Sequence, residues 1–538
     1  MAVAAQEVQS QPQTQERRML KTVNPATKEV LAEIPMLNEE EIKACMSAAQ
    51  NAFPAWAALS LEERISYLQR AKQYLIDHFD EIARTISDEQ GKPRVEAVSA
   101  DIFTVIDLID FYCKMSPKWL RDEEIPLHLM KPIKFKRSKY VYEPLGVVAV
   151  ISPWNFPFGI PMSGIVCALI TGNTVVFKPA SEVPLIAKRI EEVFVKGAQL
   201  PPGVLNLVIA PGSKTGKVLF NPPVKKVVFT GSTDIGMRIV EECAKHFIPV
   251  VLELGGKDPM IVLENADIDL AARGAVWGAF TNCGQVCASV ERLYVHESIA
   301  EPFIKRVVEE TAKIRIGRDI NGDVEMGPMV NEEQRRIVEE HVADMVAKGG
   351  KVLTGGKRRD DLGGFFYEPT VIVNANHTMV GVMEETFGPT LPIMTFKTDE
   401  EAISLANDSK FGLTASVWSR DKARAERIAR KLEAGTITIN DHAYTYGVVD
   451  TPWQGVKESG VGRSHSKLGL MEFVFPKHIN IDYFPDSMKK RPWWYPYSNA
   501  GYDLFKGVSK LMFGTKGMGE KITGLKLVVK NIKNALKV

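Results

Sequence analysis

The sequence predicts an α/β protein of more than one domain, built on parallel sheets with helices on both faces. Three observations carry this. From Gly146 to Leu254, continuous Val/Ile-rich runs alternate with amphipathic segments, the signature of strands buried on both faces. The alternation resumes from Arg292 to Ser419 as a second α/β unit. The 538 residues also exceed what one core organises, and roughly three domains are expected.

Taken in order, residues 1–18 are Gln-, Ala- and Ser-rich without an apolar run, and read as a disordered lead rather than a signal peptide. Val30, Ala32 and Ile34 alternate as in a short strand after a Pro-Ala-Thr turn. Asn38 with Glu41 caps a helix running towards Trp56, and Ser60 with Glu63 forms a second capping box. Ile65, Leu68, Ala71, Leu75, Phe79 and Ile82 then recur at helical spacing until Gly91-Lys-Pro93 stops them. Ile102–Met115 is a further helix, and no chemistry is visible in this front region. Pro126–Tyr142 reads as an extended hairpin. The strand–helix alternation begins at Gly146–Ile151 and Pro161–Ile170 and closes at Val250–Leu254. Later strands are expected at Gly435–Asn440 and Ile479–Phe484.

Composition narrows the classes. Hydrophobic residues at 45% and charged residues at 25% match an ordinary soluble globular protein, and a net charge of +1 implies no nucleic-acid partner. Six scattered cysteines fit reduced thiols in a cytoplasmic compartment, and no His/Cys spacing suits zinc, so no metal is expected. The longest nearly apolar stretch, Gly159–Ile170, falls short of the ~18 residues a spanning helix needs. Charge is uneven, however. From Ser487 onward, eleven Lys/Arg against Asp503 and Glu520 give +9, so the rest sums to −8.

Phe280-Thr-Asn-Cys-Gly-Gln-Val-Cys-Ala-Ser-Val-Glu-Arg292 holds Cys283 and Cys287, which would share a face on a helix. Upstream lies Leu252-Glu-Leu-Gly-Gly-Lys257. A thiol and a carboxylate in such settings suggest a nucleophile and a general base, although Glu253 also reads as a solvated strand end. Ser152-Pro-Trp-Asn-Phe-Pro-Phe158 follows a strand and is held by two prolines, either to preposition the Asn155 amide or as a packing corner. Phe229-Thr-Gly-Ser-Thr-Asp-Ile-Gly236 leaves a strand and opens a helix; it is neither G-x-G-x-x-G nor a P-loop, yet its small residues let phosphate approach the helix N-terminus. Lys178 ends a buried strand, facing a ligand crevice or simply water.

Together these motifs resemble those of the aldehyde dehydrogenase superfamily, in that family's order, from about residue 20 to about 485. The resemblance implies a Rossmann-like NAD(P)-binding domain (19–122 and 144–254), a catalytic domain (255–470) and a small β bridging element for oligomerisation (123–143 and 471–485). It implies Cys287 as nucleophile, as a thiolate of depressed pKa, with Cys283 the weaker competitor. Glu253 would be the base and Asn155, with the Cys287 backbone N–H, the oxyanion donor. On the cofactor side it implies Gly231, Ser232 and Gly236 at the pyrophosphate and Lys178 at the adenosine ribose. Ile151, Ser152, Pro153, Trp154, Leu254 and Gly255 join the cofactor set. Glu385 would accept from the nicotinamide ribose, and Phe387 would pack on the nicotinamide or serve as a core aromatic. Where NAD-preferring members carry Glu, three residues after the lysine, this chain has Ser181, with Glu182 one step later; the loss of that carboxylate leaves room for NADP. Glu253 favours hydrolysis over transfer to coenzyme A. The implied reaction is oxidation of an aldehyde to a carboxylate by a homodimer or homotetramer. A semialdehyde substrate is the alternative, and a catalytically silent paralogue a reading from another class. Tyr444, Tyr446 and Trp453 are candidates for the substrate-tunnel mouth or for core.

The resemblance ends near Phe484. The extension 486–538 joins Lys489–Tyr497, rich in Trp and Tyr, to a segment with Ile522, Leu525, Val528, Val529, Ile532 and Leu536 on one face and lysines beside them. Such a basic amphipathic helix either docks on protein or lies on an anionic membrane surface.

Overall fold

A computed structural model describes residues 18–128, 135–485 and 489–536. The expected lead therefore lies outside the described residues except for Arg18, as does the tip of the hairpin at 129–134. The chain divides into two compact units, Met1–Leu120 with Glu143–Phe475, and Arg121–Tyr142 with Pro476–Val538.

The first unit opens with the hairpin Met19–Val23/Val30–Pro35 and the helix Glu39–Ala57. Both predicted capping boxes form: Asn38 accepts from the Glu41 N–H, Ser60 accepts from the Glu63 N–H, and each glutamate reaches back. The apolar repeat from Ile65 to Ile82 is not one helix. It breaks at His78 into Leu61–Asp77 and Phe79–Gln90, because His78 leaves helical geometry (φ −112°, ψ 22°) while the hydrophobic period continues across the break. Gly91 then ends the run at φ +92°, where a Cβ would meet Pro25 and Pro328 at 2.8 Å. The next helix starts later and runs further than expected, Phe103–Trp119, after a π-helical stretch Ala97–Ile102.

The parallel strands Leu205–Leu207, Thr174–Lys178, Val147–Ile151, Val224–Thr230 and Val250–Glu253 form one sheet in that spatial order, with Gly460–Val461 added antiparallel at the edge. In chain order this is 3-2-1-4-5. The chain leaves Val147–Ile151 in one direction and returns on its other side. The carboxyl ends of Val147–Ile151 and Val224–Thr230 therefore flank a topological switch point, where open α/β sheets bind ligands. The helix Gly159–Ile170 that covers this sheet is buried along its whole length.

A second sheet of seven strands runs Lys351–Thr354, Thr370–Val373, Thr390–Phe396, Val290–His296, Asp258–Val262, Thr414–Trp418 and Thr436–Ile439. All its pairs are parallel except the first. Its core includes Ile261, Leu293, Phe303 and Val371.

In the second unit, Glu123–Ile125 pairs antiparallel with Lys136–Pro144, which neighbours Val474–Asp482. That last strand starts five residues earlier than expected and ends at Asp482. Two helices follow, Asn499–Phe513 and Met518–Ala535, folded against each other. They approach so closely at Gly507 and Gly524 that a Cβ on either would meet the other helix's backbone at 2.6–2.8 Å. The apolar residues of the second helix do not share one environment. Val528 and Leu536 are half-buried, whereas Ile522, Leu525, Val529 and Ile532 are exposed, Val529 to 67%. No helix among the described residues is long and apolar enough to cross a membrane.

Candidate active site

The segment around Cys287 is not helical. The helix Ile268–Phe280 ends in a short turn, Thr281–Gly284, in which Asn282 and Cys283 hold left-handed backbone at φ +49° and +58°. Cys287 follows in the loop before Val290–His296. The expectation that the two cysteines share a helical face is thus overturned. Cys283 is buried with its Sγ 3.5 Å from Met329 Sδ, while Cys287 is half-buried. Three left-handed residues in a row, Asn282 to Gly284, cannot continue a helix of L-residues.

What holds the turn comes from far away in the chain. Asn282 Nδ2 donates to the carbonyls of Asn155 (3.0 Å) and Gln285 (3.2 Å), and its Oδ1 accepts from Gln90 Nε2 at 3.0 Å. The Asn282 N–H donates to Glu96, which also accepts from Thr281 Oγ1. Asn155 is 2% exposed; its Nδ2 donates to the Gln285 carbonyl at 3.1 Å, leaving its second amide hydrogen unused there. Its carbonyl also accepts from Lys92 Nζ, itself paired with Asp101 at 2.8 Å with both side chains wholly buried. The front region, expected to carry no chemistry, therefore supplies Gln90, Lys92, Glu96 and Asp101 to the frame of this site. They were missed because Gln90, Glu96 and Asp101 read locally as polar helix residues and Lys92 as part of the turn that stops a helix.

The carboxylate side closes in through glycine. Gly256 passes so near Cys287 that a Cβ there would meet the Cys287 carbonyl oxygen at 2.2 Å. Its N–H donates to Glu385 Oε1 at 2.9 Å. Glu385 and Phe387 are carried by a segment whose Thr386 and Phe387 N–H groups donate to Glu291, and Glu291 pairs with Lys257 at 2.5 Å in full burial. Phe387 is half-buried, at φ +52°, and meets Trp154 edge-on at 5.4 Å. Glu253 ends its strand with Oε1 accepting from Ser464 Oγ at 3.1 Å and Oε2 buried without a partner. Burial pushes Glu253 up to about 8, against the Ser464 hydroxyl and the nearby Trp453, which favour the charged form.

The thiol departs from expectation. Burial drives the Cys287 pKa upward, and the carboxylates of Asp258, Glu385 and Glu253 add to it. A depressed value needs a nearby cation or donors to the sulfur, and among the described residues the Ala288 N–H acts in that sense. Around Cys287 lie Phe156, Val286, Ala288, Leu413, Tyr446 and Trp453, an apolar collar. Tyr446 and Trp453 belong to it; Tyr444 is exposed.

The remaining candidates sit at the switch point. Ile151 pairs with Lys178, and the Ser152 N–H donates to the Lys178 carbonyl at 3.2 Å. Ser152 Oγ is buried without a partner, and Pro153 continues the loop to Trp154. Among the described residues, Lys178 Nζ donates to the neighbouring Pro179 carbonyl at 2.9 Å, and burial lowers its pKa. Ser181 is exposed, and Glu182 is half-buried close enough to Lys178 to interact electrostatically. Ser232 is the N-cap of the helix Thr233–Ala244 without a side-chain cap bond. The Gly231 N–H donates to the Glu253 carbonyl, which ties this turn to the end of the Glu253 strand. Gly236 lets the helix close on Leu254, whose side chain a Cβ would meet at 2.5 Å, and the Leu254 N–H and Gly255 carbonyl are pinned by Ser459. An uncapped helix N-terminus, an unpartnered Ser152 hydroxyl and a lysine at the strand end fit the phosphates and ribose of a dinucleotide.

Comparison with known proteins shows the family. The model of the Aldehyde dehydrogenase family matches residues 11–479. The 4,4'-diapolycopene aldehyde oxidase of a Methylomonas species is 38% identical over 500 residues, covering 92% of each chain. The succinate-semialdehyde dehydrogenase [NADP(+)] of Escherichia coli is 37% identical, covering 85% of this chain and 93% of its own. Among solved structures, a betaine aldehyde dehydrogenase from Staphylococcus aureus in complex with NAD+ superposes with a TM-score of 0.83 at 35% identity, over 89% of this chain and 94% of that one. With a family model spanning most of its length and relatives matched nearly end to end, this chain belongs to the aldehyde dehydrogenase family.

Proposed function

We propose that the chain oxidises an aldehyde to a carboxylate through an acyl group held on Cys287. The observation that carries this is the convergence of Cys287, Glu253 and Asn155 around one apolar collar. The Cys287 sulfur bonds to the aldehyde carbon as its proton passes to Glu253, one of three carboxylates within electrostatic reach. The free amide hydrogen of Asn155 meets the oxyanion. A bound NAD(P)+ supplies the hydride acceptor that leaves a thioester on the sulfur. Glu253 gives that first proton up to solvent and then draws one from water; the water oxygen bonds to the thioester carbon, and the C–S bond breaks to return the Cys287 thiol and a carboxylate. Lys178, Ser152, Gly231, Ser232 and Gly236 would hold the dinucleotide, with Glu385 and Phe387 at its reactive end. Exposed Ser181 supports use of NADP beside NAD. We assign 19–122 with 144–254 to the cofactor, 255–470 to catalysis, and the sheet of the second unit to homo-oligomer contacts.

Substrate class follows from the collar and the extension. A dianionic semialdehyde product calls for a cation near the thiol, and the collar is apolar. The extension presents exposed Trp494, Tyr495, Tyr497, Phe505, Val529 and Ile532 among lysines, which suits an anionic membrane surface. The alignment with the 4,4'-diapolycopene aldehyde oxidase, over 92% of this chain, points the same way, towards a long apolar aldehyde. The test is mass analysis of the enzyme quenched during turnover with long, short and acidic aldehydes. Acyl mass is expected on the fragment from Gly284 to Arg292, greatest for the long apolar one. Full turnover by Cys287→Ala would remove the reading.

A further inference from the structure

The Asn155 carbonyl accepts from two side chains brought in from distant parts of the chain, Lys92 Nζ at 2.8 Å and Asn282 Nδ2 at 3.0 Å. Gln90 joins those two donors. Its Oε1 accepts from the Lys92 N–H at 3.1 Å, and its Nε2 donates to Asn282 Oδ1 at 3.0 Å. The bonds close a ring through Lys92, Gln90, Asn282 and Asn155, and all four residues are buried.

Lys92 does more than complete the ring. Its ammonium pairs with Asp101 Oδ2 at 2.8 Å and lies 4.1 Å from the centre of the Phe156 ring. Phe156 in turn packs on the collar around Cys287. The other oxygen of Asp101 accepts from the Phe158 and Gly159 N–H groups at 3.2 and 2.8 Å, where the helix Gly159–Ile170 begins. One ion pair thus grips the loop at Asn155, Phe156, Phe158 and Gly159, with both its side chains wholly buried. Replacing such a pair by apolar residues of similar volume is often neutral or stabilising, so stability alone does not account for charge here.

What the grip sets is the aim of the Asn155 amide. Nδ2 donates to the Gln285 carbonyl at 3.1 Å, and Oδ1 is buried without a partner. The amide therefore points where its backbone and that one carbonyl place it. Resting on the catalytic reading above, we propose that Lys92 and Asp101 are positioning residues for the oxyanion, fixing the Asn155 backbone so that its second amide hydrogen faces the oxygen that gains charge. Both side chains are shut away in the core, so they act through Asn155 and not on the substrate. An oxyanion forms twice in a turnover, when the thiol adds to the aldehyde and when water adds to the thioester, and the same amide meets both. Loosening the grip slows both steps.

Lys92→Met alone would strand Asp101, so the test exchanges the pair as a unit. Lys92→Met/Asp101→Asn removes both charges and keeps an acceptor for the Phe158 and Gly159 N–H groups, and its Tm is expected close to that of the wild type. Rapid-quench mass analysis of the Gly284–Arg292 fragment follows acyl formation and release in one turnover. Both are expected to slow roughly tenfold, a displaced donor doing less harm than a deleted one, while the Kd for NAD(P)+ is unchanged. Asn155→Ala deletes the donor and should cost roughly 10²–10³-fold. Adding the paired exchange to Asn155→Ala should cost nothing further, because no amide is left to aim. Acyl formation at the wild-type rate by the paired variant would overturn the assignment, as would a tenfold further loss in the Asn155→Ala background. Failure of the charge-free pair to fold would assign it to stability and overturn the proposal too. Wild-type turnover by Asn155→Ala itself would instead remove the catalytic reading beneath it.

Discussion

Glu253 illustrates how one residue's setting fixes a measurable. Its carboxyl is raised to about 8, first by burial, so near neutral pH most of it is protonated and cannot serve as base. The proton must be lost for water to be activated, so hydrolysis should rise with pH through about 8 and level off above it. A profile of kcat from pH 6 to 9.5 checks this, and a fall across that window would contradict it. Glu253→Gln should slow acyl release roughly 10²–10⁴-fold while acyl-enzyme accumulates. Cys287, Glu253 and Asn155, the residues we propose for catalysis, are marked in the sequence because each sits in a short, distinctive local motif. Gln90, Glu96 and Asn282 are not, since their partners lie 127 to 192 positions away and no local pattern announces them. Nor is the raised thiol, because three carboxylates meet at Cys287 only after folding.

The elements that carry these residues are pinned by two devices, glycine contacts and a buried ion pair. Gly256→Ala would drive a methyl group into the Cys287 carbonyl, where only 2.2 Å is available. The loop must shift, and a displacement of about 1 Å at the reacting centre is expected to cost roughly 10²-fold in kcat/KM. Circular dichroism should meanwhile report a folded protein. Glu291→Ala would strand Lys257 without its carboxylate and orphan the Thr386 and Phe387 N–H groups. Breaking a buried pair in this way costs about 3–5 kcal/mol, which urea unfolding would register as a lower midpoint. Helices announced by capping boxes and strands announced by Val/Ile runs were legible, because their signals are local. The break at His78 was not, since the apolar period runs through it. The turn at Asn282–Gly284 was not either, because its left-handed backbone is held by side chains from the front of the chain.

At the scale of the whole molecule, the feature to explain is a charge of +9 gathered after residue 486 on a body of −8. The two final helices meet closely at Gly507 and Gly524, and Gly501, Leu504, Asn531 and Ala535 are also buried. That leaves Tyr502, Phe505 and Met512 exposed on one helix and Ile522, Leu525, Val529 and Ile532 on the other. On each helix the exposed apolar residues fall within an arc of about 100°, bordered on the same side by lysines: Lys506 and Lys510, then Lys526, Lys530 and Lys533. In an antiparallel pair, equal angular offsets from the shared contact place both stripes on one side of the hairpin. The surface so made is apolar at its centre and cationic at its edge, and a lipid headgroup layer is the partner we propose for it. Each lysine near an anionic surface contributes about 1 kcal/mol, screened within a Debye length of about 8 Å at physiological salt. The full chain should therefore sediment with phosphatidylserine-containing liposomes and not with neutral ones, and raised salt should weaken the association without abolishing it. A chain ending at residue 485 should stay in the supernatant while oxidising a short soluble aldehyde at the full rate. If the hairpin instead covers a partner subunit, truncation will change the oligomeric mass and leave liposome partitioning untouched, and the membrane reading falls.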